Sequence, residues 1–271
     1  MARQLFFILL LPFLVACVGP SFQGVPHLKM ELDKGKLFMS ERQYRKALKN
    51  FDNAIAIAPE DIAAWNLRGV CLDKLGDSVG AVKAYDRALE IAPEDALLWY
   101  NKAMALTALE QHQAAMMAYQ RAIELNPEAF EPFYNLGNLY AQAGEMVLAL
   151  QSYSRAIEIA PTIARFWKSK GRVLMQLGKY EQAILAFDQA LSLQPQYIEV
   201  IAYKGIALVH AGEYQSALST FKQGIGYSPD NFMLWYNSGV VLSHLGRQHD
   251  ADFAFAQANR IKPSFFARST H

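Results

Sequence analysis

Pro59, Pro93, Pro127, Pro161, Pro195, Pro229 and Pro263 stand thirty-four residues apart, with no insertion or deletion between any two. A fixed period of that length does not suit a single globular core. It requires a stacked array in which each unit buries its apolar side against the next. The period divides the chain into units 28–61, 62–95, 96–129, 130–163, 164–197, 198–231 and 232–265, with a lead segment before them and the tail 266–271 after them.

The columns within the period constrain the chain further. Position 20 is alanine in all seven units (Ala47, Ala81, Ala115, Ala149, Ala183, Ala217, Ala251), and position 24 is always aromatic (Phe51, Tyr85, Tyr119, Tyr153, Phe187, Phe221, Phe255). Position 8 is glycine in six units, with Ala103 the exception. Small residues on two successive helical stretches let the backbones approach, while the aromatic at 24 and the large residue at 4 fill the space beside them. Gly76, Gly144, Gly178, Gly212 and Gly246 at position 15 supply the left-handed residue that ends a first helix. Each period proline ends the second helix, because the residue before a proline is pushed out of the helical region. Every unit thus reads as a helix-turn-helix hairpin.

These columns resemble the tetratricopeptide repeat, whose Trp, Gly, Ala, aromatic, Ala and Pro recur as Trp65, Gly69, Ala81, Tyr85, Ala88 and Pro93. The resemblance implies an all-α fold, a right-handed superhelical solenoid of seven hairpins spanning 28–265. Unit 1 departs from the pattern with Glu31 in the aromatic column, and unit 7 with Asn259 beside Ala258, as terminal units do. A solvating helix after the last unit is not expected from residues 266–271. Either Phe265 and Phe266 fold back on it, or a partner, which includes another copy of the chain, completes that end.

Residues 1–16 read as a secretory signal, with Arg3 ahead of an apolar run from Leu5 to Val15. The run is shorter than the ~20 residues a bilayer span requires, and it contains Pro12. Leu14, Val15, Ala16 and Cys17 resemble the lipobox of bacterial lipoproteins. That resemblance implies cleavage before Cys17, a diacylglycerol on its sulfur and an acylated amino terminus, a multi-chain anchor that holds far better than one chain. Val18 replaces the aspartate that tends to retain enterobacterial lipoproteins at the inner membrane. The expected location is therefore the periplasmic side of the outer membrane in a diderm bacterium. The linker that follows Cys17, Val18 to His27, carries Gly19, Pro20, Gly24 and Pro26 and is expected to be extended or turning. Ten such residues place the first hairpin within about 35 Å of the bilayer.

With 26 basic against 25 acidic residues, no overall field attracts nucleic acid, which is excluded as a partner class. Cys71 occupies a column otherwise held by Leu37, Ala105, Val173 and Val241, and is read as a small buried hydrophobe. His210 and His244 share position 13 of adjacent units, but two ligands on separate helices do not make a metal site. No phosphate loop, nucleophile elbow or carboxylate pair appears, so neither catalysis nor a cofactor is expected. Trp65, Trp99, Trp167 and Trp235 all hold position 4 and are assigned to the core. Basic residues at position 7 (Lys34, Arg68, Lys102, Lys170, Lys204) recur too regularly for recognition. They are read as stems along neighbouring helices, reaching carboxylates such as Glu90 or Asp86.

Function is then left to the row at positions 2, 5, 6, 9, 12 and 13 of the first helices, which would line a concave groove. Tyr100 with Asn101, Tyr134 with Asn135, and Tyr236 with Asn237 repeat one dipeptide there, and Asn138 follows four residues after Tyr134. Amides both donate and accept, which suits the backbone of an extended peptide, and these side chains are expected to face solvent. Arg165, Lys168 and Arg172 share one face of the fifth unit's first helix, a basic patch suited to a carboxylate or an acidic segment. The clamp by which cochaperone-type repeats hold a terminal carboxylate is not reproduced, since Tyr134, Ser169, Glu199 and Tyr203 stand at its positions.

The expected function is a lipid-anchored scaffold or adaptor for other envelope proteins, holding an extended partner segment in the groove. In layout it resembles the pilotin-type repeat lipoproteins of type IV pili. Recruitment of peptidoglycan enzymes or proteases is a second reading, and a small-molecule or glycan carrier is a third, from another class. A cytoplasmic cochaperone requires the lead segment to be no signal at all.

Overall fold

The structure, a computed structural model, describes residues 24–263. The expected signal 1–16, the expected lipidation at Cys17, the residues up to 23, and Phe265, Phe266 and the rest of the tail lie outside the described residues. Within them are fourteen helices and no strand. They form two compact units, one ending at Pro93 and the other beginning at Glu94. The first holds α1 (Gly24–Ser40), α2 (Tyr44–Ile57), α3 (Ile62–Lys74) and α4 (Ser78–Ile91). The second holds α5 (Ala96–Ala108), α6 (His112–Leu125), α7 (Phe130–Gln142), α8 (Met146–Ile159), α9 (Ala164–Gln176), α10 (Tyr180–Leu193), α11 (Ile198–His210), α12 (Tyr214–Tyr227), α13 (Phe232–His244) and α14 (Gln248–Ile261).

Odd and even helices pair as hairpins, and within each unit an even helix also packs on the odd helix that follows it. In the second unit α7, α9, α11 and α13 touch in succession, so first helices form one layer and second helices the other. The small columns make this packing close. A methyl added at Gly171 would sit 2.5 Å from Cε1 of Phe187, and one at Gly239 2.6 Å from the same atom of Phe255. The alanines at position 20 are completely buried. The turn glycines adopt φ between 69° and 83°, and Arg42 and Glu110 take the same left-handed conformation in the two units that lack the glycine. The residue before each proline leaves the helix, as Ala92 does at φ −128°.

Three expectations change. The helix α1 starts at Gly24, so residues 24–27 are helical rather than extended. Pro26 falls in the first turn, where backbone N–H groups have no intrahelical acceptor and the missing donor costs nothing. The tryptophans are half-buried, and the fully buried column is position 3, with Ala64, Phe166, Val200 and Leu234. Their indoles act as caps. Trp65, Trp167 and Trp235 donate Nε1–H to the carbonyls of Pro59, Pro161 and Pro229 at 2.7–2.9 Å, satisfying a group that the broken helix leaves open. Glu31, in the aromatic column, is buried and accepts from Asn50 at 2.8 Å and Asn53 at 3.0 Å. Those bonds hold its carboxyl below the usual range, against the opposing effect of desolvation.

Position 7 keeps its expected task, with the carboxylate in the column of Asp86. Arg68 pairs with Asp52 at 2.8 Å and Lys204 with Asp188 at 2.6 Å, each joining a first helix to the preceding second helix at its position 25. Glu90 is instead taken by Arg87 of its own helix. Units 4 and 7 carry Leu136 and Ser238 at position 7, opposite Gln120 and Lys222 rather than aspartate. There the second-helix layer opens into clefts of about 480 Å³, floored by Phe133 and Leu136, and about 250 Å³, floored by Trp235 and Leu242.

Candidate functional site

The candidate site lies on the first-helix layer of the second unit, centred on α7 and α9. Helical spacing puts Arg165, Lys168 and Arg172 along one side of α9, and Tyr134, Asn135 and Asn138 on α7. Between them is a polar cleft of about 380 Å³, lined by Asn138, Gln142, Tyr153, Ser169, Arg172 and Gln176 among others.

Its floor is a hydrogen-bonded chain. Tyr134 Oη lies 3.4 Å from Ser169 Oγ, and the Tyr153 hydroxyl donates to Asn138 Oδ1 at 2.7 Å. Tyr153 is 2% exposed, and burial pushes its phenol well up, so it keeps its proton and acts as donor. The Tyr134 ring packs on Phe166 at 4.7 Å and Tyr153 at 5.8 Å. Arg165 lies over Tyr134 at 5.4 Å and over Phe166 at 5.2 Å, and Arg172 over Tyr203 at 5.5 Å.

The expected solvent-facing row is thus partly consumed. Asn135 is half-buried and donates to Tyr100 Oη at 3.4 Å, and Tyr100 itself packs on Tyr119 at 6.0 Å. Asn101 is half-buried beside it. Tyr236 packs between Phe232 at 5.9 Å and Phe255 at 5.7 Å, and Asn237 holds a buried Nδ2 with no hydrogen-bond partner. Only Asn138 of these amides is exposed. The reason is geometric: position 5 points at the next first helix, as Tyr134 does at Ser169, and position 6 at the preceding one, as Asn135 does at Tyr100.

Lys168 also differs from its expected part in the basic patch. Its ammonium pairs with Glu199 at 2.9 Å and lies 5.2 Å from the Tyr197 ring, with 17% of the side chain exposed. Burial opposes its charge, but the bonds to Tyr197 and Glu199 outweigh burial and raise its pKa. Arg165 and Arg172 are exposed and have no carboxylate within 4 Å among the described residues. Gln142, Gln176 and Ser169 were missed by the sequence reading as members of one cleft. The glutamines at position 13 of adjacent units were the available signal. His210 and His244 do not face each other: each stacks on a tyrosine of the preceding hairpin, Tyr180 at 4.8 Å and Tyr214 at 5.0 Å. No group of three metal-ligating side chains occurs among the described residues. Cys71 is buried, and desolvation pushes its thiol up to about 11, in keeping with a packing role.

Comparison with known proteins addresses the fold rather than this cleft. Profiles described as tetratricopeptide repeat match residues 32–96 and 204–263, 130–163 and 164–197, and 84–117, and one described as TPR repeat matches 103–144. Among curated proteins no match is found. The structure of YrrB, titled a TPR protein with an unusual peptide-binding site, is 24% identical, covering 68% of this chain and 94% of that one with a TM-score of 0.62. The C-terminal part of a TPR repeat-containing protein from Cytophaga hutchinsonii is 16% identical, covering 86% and 96%, with a TM-score of 0.76. PilF of Pseudomonas aeruginosa is 16% identical, covering 78% and 96%, with a TM-score of 0.66. At such identities the likeness is one of fold. With profiles matched over residues 32–197 and 204–263 and paired helices in every unit, the chain belongs to the tetratricopeptide repeat family.

Proposed function

We propose that this protein is a lipid-anchored scaffold or adaptor of the bacterial cell envelope, tethered through Cys17, that holds an extended segment of another envelope protein along its first-helix layer. A repeat fold of this family supports protein–protein interaction. The observation that carries the segment-binding role is the cleft of α7 and α9, lined by exposed Asn138, Gln142, Arg172 and Gln176, with exposed Arg165 on the same helix as Arg172. The chemistry offered is recognition, with no catalytic step.

The anchor rests on Leu14, Val15, Ala16 and Cys17 and on the lead segment. No described helix is long and apolar enough to cross a membrane. Service in assembly of an envelope machine of the type IV pilus kind rests on the resemblance in layout stated above. Tyr100, Tyr134 and Tyr236 pack their rings against neighbouring aromatics, which disfavours a glycan carrier that needs open ring faces.

Two measurements test this. Labelled palmitate should enter the wild-type protein and not Cys17→Ala, and label in both would remove the anchor. A photo-crosslinker at Met104, exposed on the first-helix layer, should trap partner segments that one at Val147, exposed on α8, does not. Equal trapping at both would refute the assigned face.

A further inference from the structure

The cleft between α7 and α9 is biased toward donors. Because the Tyr153 hydroxyl gives its proton to Asn138 Oδ1, the N–H2 end of that amide is the half left for a ligand. Arg172 adds a guanidinium that only donates, and Arg165 adds a second on the same helix. Lys168 between them is neutralised by Glu199, so the positive charge of this face resides on the two arginines alone. Glu131 shares the neighbourhood of Tyr100 with Arg165 but stays out of ion-pair range. Both guanidiniums rest on aromatic rings, which holds them in place without satisfying their N–H groups.

The two arginines are seven residues apart, close to two full turns, so they project from one side of α9 at about 10 Å separation along its axis. In a polyproline-type extended chain, residues three apart lie on one side about 9 Å apart, whereas same-side neighbours of a β-strand are about 7 Å apart. A single terminal carboxylate would occupy only one of the two arginines.

Resting on the segment-binding role above, we propose that the partner segment is acidic and internal. One of its side-chain carboxylates binds Arg172 and Asn138 in the cleft, and a second, three residues away, binds Arg165. Charge-assisted bonds to a planar guanidinium give this site both strength and register. It differs from a terminal-carboxylate clamp in reading side chains at a fixed spacing.

The test uses the full-length protein in detergent and fluorescent twelve-residue peptides blocked at both ends, rich in proline and serine, with glutamate or glutamine at positions 5 and 8. Anisotropy should show the glutamate peptide binding roughly tenfold more tightly at low salt, with the preference shrinking as salt rises. Arg165→Gln and Arg172→Gln should each remove most of the preference, and the charge-neutral pair Lys168→Gln with Glu199→Gln should keep it. Unchanged circular dichroism would show that these surface variants fold. Equal binding of the two peptides overturns the acidic assignment. Tighter binding of an unblocked peptide through its terminal carboxylate overturns the internal source. Failure of every peptide to bind overturns it as well, and trapping at Met104 decides separately whether the face holds a segment at all.

Discussion

Replacing Gly171 with alanine tests the hairpin packing directly. The new methyl would meet the Phe187 ring at 2.5 Å from Cε1, 2.8 Å from Cδ1 and 2.9 Å from Cζ, against an ordinary carbon–carbon separation of about 3.5–4.0 Å. Phe187 is completely buried and has no free volume to move into, so α9 and α10 must separate or the ring must leave its rotamer. Such overpacking costs about 1–3 kcal/mol, while exchanging glycine for alanine inside a helix returns about 1 kcal/mol. Unit 3 itself carries Ala103 above a buried Tyr119, so the array accommodates this methyl where its surroundings are built for it. The expected net loss is therefore up to about 2 kcal/mol, or up to roughly 4–8 °C in Tm for a unit of this size. Gly226 on α12 is the control, since nothing lies within 4 Å of a methyl there, and Gly226→Ala should gain about 0.5 kcal/mol. Chemical denaturation followed by circular dichroism gives both values. Hydrogen exchange should show lost protection concentrated in α9 and α10, because repeats couple chiefly to neighbours. Phe187→Leu in the Gly171→Ala background should recover part of the loss. A gain in stability from Gly171→Ala alone would refute the packing account.

Glu110 holds a left-handed turn at φ 58°, so Glu110→Gly should raise stability by about 0.5–1 kcal/mol, and an unchanged denaturation midpoint would show the turn to be unstrained. Introducing the missing interhelical pair with Gln120→Asp and Leu136→Lys should give a favourable coupling of about 0.5 kcal/mol in a double-mutant cycle, and zero coupling would separate the 480 Å³ cleft from the lost ion pair. Asp73 accepts from Tyr85 Oη at 3.0 Å, yet desolvation raises its pKa. A raised folded value means that its contribution is fully present below the unfolded pKa and falls as pH rises through the folded one. Asp73→Asn should thus stabilise the protein at pH 7 more than at pH 3, and pH-dependent melts showing the reverse order would contradict the assigned sign.

The hairpins were legible in the sequence because their determinants are local and repeated. A glycine facing an aromatic sixteen residues later, an alanine at position 20 and a proline at the end each act within one unit or on its neighbour, so seven copies state the same rule. The turn also survives without its glycine, at Arg42 and Glu110, since the hydrogen bonds from both sides over-determine it.

Which polar groups remain available was decided only by the tertiary structure. Tyr134, Asn135 and Lys168 look as open as Asn138 and Arg172 when written on a helical wheel, but the adjacent first helices bring Ser169, Tyr100 and Glu199 against the former and not the latter. The tryptophans turn outward to cap proline carbonyls, and two clefts open where position 7 and its opposite residue change together. Periodicity assigns a residue to a face. Whether that residue is spent or free depends on partners thirty or more positions away, and those partners are set by how one hairpin seats on the next.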